Sequence, residues 1–205
     1  MLTVAVQAGG ESRRMGRDKA LLPFLGRPLI ARVIDRLRPI ADELLVTTNR
    51  PDAYRFLDVR LVSDLRPGRG ALGGLYTALS AARHPFVAVV ACDMPFVSAA
   101  LIERARTLLV QSDADVVVPS SGEHLEPLHA VYRRATCLPA VEAALDAGAW
   151  KMISWFSQVR VHVLSPDEVH RYDATGLAFW NVNTPEEFAA AERRARSLAD
   201  DEDGA

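Results

Sequence analysis

The sequence predicts a three-layer α/β/α fold, with helices on both faces of a mostly parallel central sheet. Three observations indicate it. Short apolar runs alternate with segments of helical periodicity, a pattern typical of parallel strands joined by helices. Several of these runs end in glycine, asparagine or aspartate, which are common where a strand gives way to a loop. The chain has 205 residues, 49% of them hydrophobic, enough to bury the core of one domain.

The elements follow in chain order. An apolar run at 2–6 predicts the first strand, and a helix over 28–37 begins at a proline. Apolar runs predict further strands at 43–49, 59–64, 86–93, 114–119 and 159–164, with an extended segment at 126–134. Further helices are predicted after the glycine-rich turn 66–75, at 98–110, at 136–147 and, for a short one, at 150–157. Residues 179–188 pass from a strand into a last helix, so one domain covers 1–196 and an acidic, disordered tail covers 197–205.

Composition excludes several classes of protein. A net charge of −2 and a pI near 6.2 argue against a nucleic-acid or membrane surface. The two cysteines, Cys92 and Cys137, lack CxxC spacing, so neither a disulfide framework nor a structural zinc site is expected. No apolar run approaches the ~18 residues of a membrane span, and no signal peptide is evident. A cytoplasmic location is therefore expected.

A glycine pair followed by clustered cations forms the most informative stretch, residues 8–24. Gly9 and Gly10 end the first strand and allow a sharp turn with close approach to the main chain. Basic and hydroxyl side chains follow within a few positions: Ser12, Arg13, Arg14, Arg17 and Lys19. Backbone N–H groups together with cations are what a polyphosphate requires. The alternatives are a plain turn and a solvated basic loop; neither a P-loop nor a GxGxxG fingerprint is present.

Polar residues end the other predicted strands. Asn49, Asp64 and Asp93 each close an apolar run, and the carboxyl ends of parallel strands meet at one edge of a sheet. Asp93 is the sharpest, because an unpaired carboxylate at the end of a buried strand is costly and a metal-bound phosphate would explain it. Its alternative is a helix cap, although Ser98 lies nearer the next helix. Asn49 and Asp64 could equally serve turns.

The string AGGESRRMGRDKALL resembles the signature loop of the nucleotidyltransferases related to molybdenum cofactor guanylyltransferase (MobA-type). Three later strings, ACDMPF, EPLHAVYRR and NVNTPEE, also resemble elements of that family, in order along nearly the whole chain. Gln7 departs from it, since the family usually has an apolar residue there, and this leaves the base preference open. The resemblance implies a Rossmann-like nucleotidyltransferase fold.

The resemblance also implies a set of functional residues. Asp93 would hold Mg²⁺, with Mn²⁺ as an alternative ion, and Lys19 and Arg13 would complete the catalytic groups. Asn181 and Asn183 would lie near the reaction centre, where Thr184 before Pro185 is also a good helix start. The full set of nucleotide-binding residues is Gln7, Ala8, Gly9, Gly10, Ser12, Lys19, Asn49, Asp64, Gly73, Asp93, Asn181 and Asn183.

The assignments of three residues rest on weaker signals. Gly73 lies in a glycine turn that would let a base or ribose come close, and a tight turn before a helix explains it equally well. From the resemblance of EPLHAVYRR, His129 or Arg133 would face the acceptor, although a lone histidine is more often structural.

The implied reaction is GMP transfer from GTP to molybdopterin, giving the guanine dinucleotide and pyrophosphate. A terminal phosphate monoester has a second pKa near ~6 and needs no general base, so alignment and charge neutralisation suffice. One alternative is a sister enzyme, transferring a cytidylyl group to the same pterin or a nucleotide to a sugar phosphate or small phosphorylated acid. The other is a non-catalytic protein that delivers cofactor. Expected partners are these small molecules and, transiently, molybdoenzymes or other cofactor-biosynthesis proteins.

Overall fold

Apolar runs of the sequence form the strands of one mixed sheet and a short hairpin. The computed structural model describes residues 1–9 and 18–203, with side chains as far as residue 199. Its strands are β1 (Leu2–Gln7), β2 (Pro23–Phe24), β3 (Arg27–Pro28), β4 (Glu43–Thr47), β5 (Arg60–Val62), β6 (Phe86–Ala91), β7 (Val116–Pro119), β8 (His129–Arg133) and β9 (Val161–Leu164). Its α-helices are α1 (Leu29–Leu37), α2 (Gly70–Ala81), α3 (Ala99–Gln111), α4 (Arg134–Asp146), α5 (Pro166–Tyr172) and α6 (Pro185–Asp203).

The central sheet has seven strands in the order β5-β4-β1-β6-β8-β7-β9. Strand β1 pairs in parallel with β4 and β6, and β4 pairs in parallel with β5. Strand β8 runs antiparallel between β6 and β7, while β7 and β9 are parallel. The predicted, mostly parallel sheet is therefore confirmed. The parallel strands β1, β4, β5 and β6 all end at one edge, which is where ligands bind in open α/β sheets.

Alternation along β1 separates the two hydrophobic layers. Val4 and Val6 face a cluster that includes apolar residues of α1 and α3. Ala5 faces the opposite cluster, formed with α2 and α4. Because successive strand residues point to opposite faces, one strand serves both layers. The three-layer α/β/α prediction is confirmed.

Local details differ from the sequence prediction. The glycine-rich turn expected at 66–75 ends earlier, because α2 already begins at Gly70. A strand was expected from 179, but 179–183 form none; there, the Val182 amide donates to the Asp93 carbonyl oxygen over 3.0 Å. The short helix expected at 150–157 reduces to turns and the 3₁₀ segment Phe156–Gln158. Helix α5 was not predicted; its capping box at Ser165 and Glu168 would have been a usable signal.

The last helix packs across the hairpin β2–β3. Ala191 and Ala195 contact a buried cluster that contains Phe24 and Leu29. The helix continues through Asp203, beyond the boundary expected at residue 196; that domain boundary stays a prediction. Within the described part of the chain, no helix is long and apolar enough to cross a membrane.

Candidate active site

An open cavity of about 1140 Å³ lies at the carboxyl edge of the sheet. The lining includes residues from the end of β1, from the loops after β1, β4, β5 and β6, from the start of α2, from the loop after α4 and from the segment before α6: Gln7, Ala8, Gly9, Asp18, Lys19, Asn49, Arg50, Asp64, Gly68, Gly70, Gly74, Asp93, Trp150, Asn181 and Asn183. Backbone hydrogen bonds join the ends of β1, β4 and β6. The Ala8 amide donates to the Thr47 carbonyl over 2.9 Å, and the Cys92 amide donates to the Gln7 carbonyl over 3.1 Å.

Lys19, Asp93 and Asn183 meet on the wall of this cavity. The Lys19 ammonium forms an ion pair with the Asp93 carboxylate. It also donates to Asn183 Oδ1 over 2.9 Å. The Lys19 and Asp93 side chains are only 16% and 10% exposed, so their charges are weakly screened by water. Three segments that are far apart in sequence therefore place a cation, a carboxylate and an amide at one point.

The start of α6 holds Asn183 in place. Glu187 Oε2 accepts from the backbone N–H groups of Asn183, over 2.6 Å, and Thr184, over 3.1 Å. In return, the Glu187 amide donates to Thr184 Oγ1 over 3.2 Å, which completes a capping box. Thr184 thus caps the helix, as the sequence indicated. The side chain of Asn183 is not needed for the cap and lines the cavity. Asn181 also lines the cavity, and its Nδ2 donates to the Phe179 carbonyl over 3.1 Å.

Asp18 fixes the segment that carries Lys19. Its Oδ1 accepts from the Ala20 amide over 3.2 Å and caps the 3₁₀ turn Lys19–Leu21. Its Oδ2 accepts from the buried Tyr54 hydroxyl over 2.6 Å and forms an ion pair with Arg50. Burial, together with the Asp18 carboxylate, raises the pKa of Tyr54, so the hydroxyl stays protonated and remains a donor.

Asn49 and Asp64 are joined at the ends of neighbouring strands. Asn49 Nδ2 donates to Asp64 Oδ2 over 2.8 Å, and the Asp64 amide donates back to Asn49 Oδ1 over 3.3 Å. Gly9 lies beside them; a Cβ atom there would be 3.6 Å from Asp64 Oδ2. The three predicted strand-end residues therefore share one corner of the cavity.

Two adjacent glycines of α2, Gly73 and Gly74, have different surroundings. Gly73 is buried outside the cavity lining, and a Cβ on it would lie 2.8 Å from the Arg66 carbonyl oxygen. Its neighbour Gly74 lines the cavity, where a Cβ would lie 2.6 Å from Oε1 of Gln7. The sequence assigned Gly73 to ligand approach. Helix geometry instead turns Gly73 towards its own loop and Gly74 towards the cavity.

Sequence reasoning missed two lining residues with side chains suited to ligands. Arg50 directly follows Asn49, a position that the strand-end argument could have included. Trp150 is 60% exposed at the cavity, and the Arg69 guanidinium lies 5.5 Å from its ring centroid. No local sequence pattern predicts a site role for Trp150, because its position near the start of α2 depends on how α4 packs.

His129 and Arg133, expected to face the acceptor, have structural partners instead. His129 is buried, and its Nε2 accepts from the Ser98 amide over 3.1 Å. Burial lowers its pKa to about 4, so the ring is neutral at pH 7. Arg133 donates to the carbonyl groups of Leu109 and Ala114 over 2.6 and 3.0 Å. Neither residue lines the cavity.

Cys92 supplies no nucleophile. It lies on the cavity wall beside Asp93. Burial raises the pKa of its thiol, which therefore stays protonated at neutral pH.

Comparison with known proteins identifies this constellation. The family model for the MobA-like NTP transferase domain matches residues 4–162. The chain belongs to the MobA-like NTP transferase family. It is accordingly a nucleotidyltransferase.

Similar proteins span nearly the whole chain. A probable molybdenum cofactor guanylyltransferase of Pelotomaculum thermopropionicum is 39% identical, covering 92% of this chain and 91% of its own. The molybdenum cofactor guanylyltransferase of Desulfosudis oleivorans is 36% identical, covering 93% and 94%. Among solved structures, molybdopterin-guanine dinucleotide biosynthesis protein A from Archaeoglobus fulgidus superposes with a TM-score of 0.83 and 25% identity, covering 95% of this chain and 99% of that one.

The MobA-like family implies a divalent metal, and the donor set can be tested for it. No cluster of three or more histidine, cysteine or acidic residues suited to a metal occurs within residues 1–9 and 18–203. Mg²⁺, however, commonly binds through one or two carboxylates together with substrate phosphates and waters. Asp93 and Asn183 both contact the Lys19 ammonium and together supply such a partial donor set. These residues fit a metal that arrives with its nucleotide.

Three predicted residues, Gly10, Ser12 and Arg13, lie outside the described residues, as do Arg14 and Arg17. Their assignment to the phosphates of the nucleotide stays a prediction. On either side of that segment the chain is held by hydrogen bonds, from the Ala8 amide to the Thr47 carbonyl and from the Tyr54 hydroxyl to Asp18.

Proposed function

We propose that this nucleotidyltransferase transfers GMP from GTP to the terminal phosphate of molybdopterin, with Mg²⁺. The products are molybdopterin guanine dinucleotide and pyrophosphate. The observation that carries the proposal is the convergence of Lys19, Asp93 and Asn183 on one cavity wall. Relatives named molybdenum cofactor guanylyltransferase, aligned over nine-tenths of the chain, support this choice of base and acceptor.

The groups in the cavity match the needs of phosphoryl transfer. Pyrophosphate leaves with added negative charge, and a fixed cation lowers the barrier most when it faces that charge. Lys19 supplies such a cation, at an edge where the Gly9 backbone leaves room for phosphate oxygens. Arg50 lies in the same lining and adds a second cation. From the sequence, Arg13 would supply a third.

The acceptor requires no general base from the protein. A phosphate monoester is largely dianionic at neutral pH and can attack the α-phosphorus directly. The described cavity agrees with this, because His129 lies outside it and the Cys92 thiol stays protonated. The chain then contributes alignment, for which Asn181, Asn183, Asn49 and Asp64 supply polar groups in the cavity lining.

Asp93, assisted by Asn183, would hold the metal ion. When bound, Mg²⁺ would neutralise part of the charge of the phosphates. Asp93 also forms the ion pair with Lys19, so the carboxylate would be shared between the ion and this ammonium. Lys19, held by Asn183 as well, would remain beside the phosphates. A cytoplasmic location and transient contact with molybdoenzymes belong to the same proposal.

Pyrophosphate release tests the proposed reaction. The purified chain is incubated with GTP, Mg²⁺ and molybdopterin, and release is expected only when all three are present. CTP, ATP and UTP are compared under the same conditions, and EDTA is expected to stop the reaction. Faster turnover with CTP would assign a cytidylyl transfer instead. Nucleotide binding without turnover of any nucleotide would indicate a non-catalytic delivery protein.

A further inference from the structure

We propose that the indole of Trp150 stacks on a flat, fused heteroaromatic ring of a bound substrate. This role rests on the proposed guanylyl transfer, because both of its substrates, GTP and molybdopterin, carry such a ring. Three features of the structure support it: the exposure of the indole at the cavity, the bare glycine backbone near it, and the contacts that fix its position.

Trp150 is exposed, whereas Trp155, close to it in sequence, is buried. Trp150 is 60% exposed and lines the cavity. Trp155 belongs to the hydrophobic cluster formed with α2 and α4, and Met152 packs against the same cluster. Burial of a large aromatic side chain stabilises a folded protein, so an indole left in contact with water lacks that stabilisation. A flat ligand ring that covers the indole would supply it.

The backbone near Trp150 is bare. The Arg69 guanidinium lies 5.5 Å from the centroid of the indole, and Gly68 and Gly70, on either side of Arg69, line the cavity. The φ angles of these glycines are +73° and +56°, in the left-handed region that other residues rarely adopt. A Cβ atom on either glycine would meet no atom of the described residues within 4 Å. The described part of the chain therefore leaves open space for a flat ring at this loop.

The end of α4 sets the position of Trp150. Gly148 has a φ angle of +81°, and its amide donates to the Leu145 carbonyl over 3.0 Å. The next amide, of Ala149, donates to the Ala144 carbonyl over 2.9 Å. These two bonds form the Schellman motif, in which a left-handed glycine ends a helix. Trp150 follows this motif directly, so its backbone leaves α4 in a defined direction.

Two contacts join α4 to α2 and to the loop before it. The Tyr76 hydroxyl donates to Glu142 Oε1 over 2.9 Å, and Arg66 forms an ion pair with Asp146 over 3.1 Å. Arg66 lies in the same loop as Arg69, so that loop contacts both α4 and Trp150. The indole is therefore held near the glycines before a ligand binds, which reduces the conformational entropy lost on binding.

The indole suits a ring better than a phosphate. Aromatic faces attract flat π systems and cations, whereas a phosphate needs cations or hydrogen-bond donors. Lys19 and Arg50, the cations that we assign to the phosphates, come from other segments of the lining. Stacking tolerates different bases because each has a π face. Trp150 would therefore strengthen binding of a ring without selecting which base is bound.

Equilibrium binding tests this role with three probes in the presence of Mg²⁺: GTP, molybdopterin, and ribose 5-triphosphate, which has the phosphates without a base. Trp150→Ala should bind GTP or molybdopterin roughly tenfold more weakly, because one stacking contact is lost. The probe whose affinity falls identifies the ring. Affinity for ribose 5-triphosphate should be unchanged, and Trp150→Phe, which keeps an aromatic face, should recover most of the lost affinity.

Ile153→Ala is the matched control. Ile153 is 44% exposed and lies close to Trp150 in sequence, but it does not line the cavity. This variant should bind all three probes as the wild type does, and thermal melting should verify that each variant is folded. The probe that stacks should also quench tryptophan emission in the wild type, and this change should be absent in Trp150→Phe.

Several outcomes would overturn the role of Trp150. They are unchanged affinity of Trp150→Ala for both GTP and molybdopterin, an equal loss of affinity for GTP and ribose 5-triphosphate, and an equal loss in Ile153→Ala. Absent pyrophosphate release in a wild type that still shows ring-dependent binding through Trp150 would overturn only the proposed reaction.

Discussion

The ammonium of Lys19 and the carboxylate of Asp93 lie in direct contact although 74 residues separate them in the chain. Asp93 reaches this point at the end of β6, and Lys19 reaches it from a turn capped by Asp18. Both groups are more than four-fifths buried, so each charge depends on the other until a ligand enters. The pair therefore holds the two groups that we propose to bind metal and phosphate, with their opposite charges in contact.

Replacing Asp93 by asparagine removes the charge while keeping the shape of the side chain. We expect pyrophosphate release to fall at least roughly 100-fold, because the proposed metal ion and the Lys19 ammonium lose their anionic partner. The measurement is steady-state release from GTP and molybdopterin. Asp113→Asn is the matched control, since that side chain is 96% exposed. Near wild-type turnover in Asp93→Asn would remove this carboxylate from the mechanism.

Lys19→Met tests the cation of the pair. The variant keeps the aliphatic stem and loses both the contact with Asp93 and the bond to Asn183, so kcat should fall roughly 100-fold. Circular dichroism should show an unchanged fold. Lys151→Met, at an exposed position, is the control and should keep its activity. If both lysine variants behave alike, the assignment of Lys19 fails.

Tyr54→Phe tests whether Asp18 positions Lys19. Losing the hydroxyl removes a 2.6 Å hydrogen bond to a carboxylate and should destabilise the protein by about 1–2 kcal/mol. If the turn that carries Lys19 loosens, kcat and kcat/KM should fall together severalfold, because the cation acts in the transition state. Tyr172→Phe serves as the control, with its partly exposed side chain. Lower stability with unchanged kinetics would leave Tyr54 with a purely structural role.

His129 should make stability depend on pH. Its pKa is lowered to about 4 by burial, while in the unfolded chain it is near ~6.5. Between these values the unfolded chain binds a proton that the folded one does not. The free energy of unfolding should therefore fall by about 3 kcal/mol as the pH drops from 6.5 to 4, and this contribution should fall no further below 4.

Urea unfolding at several pH values measures this dependence. His129→Gln retains an acceptor for the Ser98 amide and should lose most of the slope in that window. His170→Gln, at an exposed position, should keep it. Equal slopes in the wild type and His129→Gln would show that another group is responsible.

Local sequence patterns predicted part of the fold and of the candidate site. An apolar run that ends in Asp93, with Ser98 beyond it, predicted both the strand and the cap, because each depends on adjacent residues. The convergence of Lys19 with Asn183 followed only from the family resemblance, since nothing local links residues so far apart. Trp150 escaped notice because its place opposite α2 depends on how α4 packs.

Which glycine of α2 lines the cavity depends on helix geometry. The sequence pointed to Gly73 for ligand approach, whereas Gly74 lines the cavity. Neighbouring helix positions differ by about 100° in direction, so the exact starting residue of α2 decides which glycine faces the ligand. Sequence patterns leave helix boundaries uncertain by one or two residues.

The terminal helix α6 contacts two segments of the proposed active site, the one that carries Asn183 and the one that follows Lys19. At its start, Glu187 secures the backbone of Asn183; further along, Glu192 Oε1 accepts from the Leu25 amide over 2.7 Å, a few residues beyond Lys19. Ala191 and Ala195 pack the same helix onto the hairpin that contains Phe24. A deletion or tag that disturbs α6 is therefore expected to change the distance between Lys19 and Asn183, although α6 itself begins after both residues.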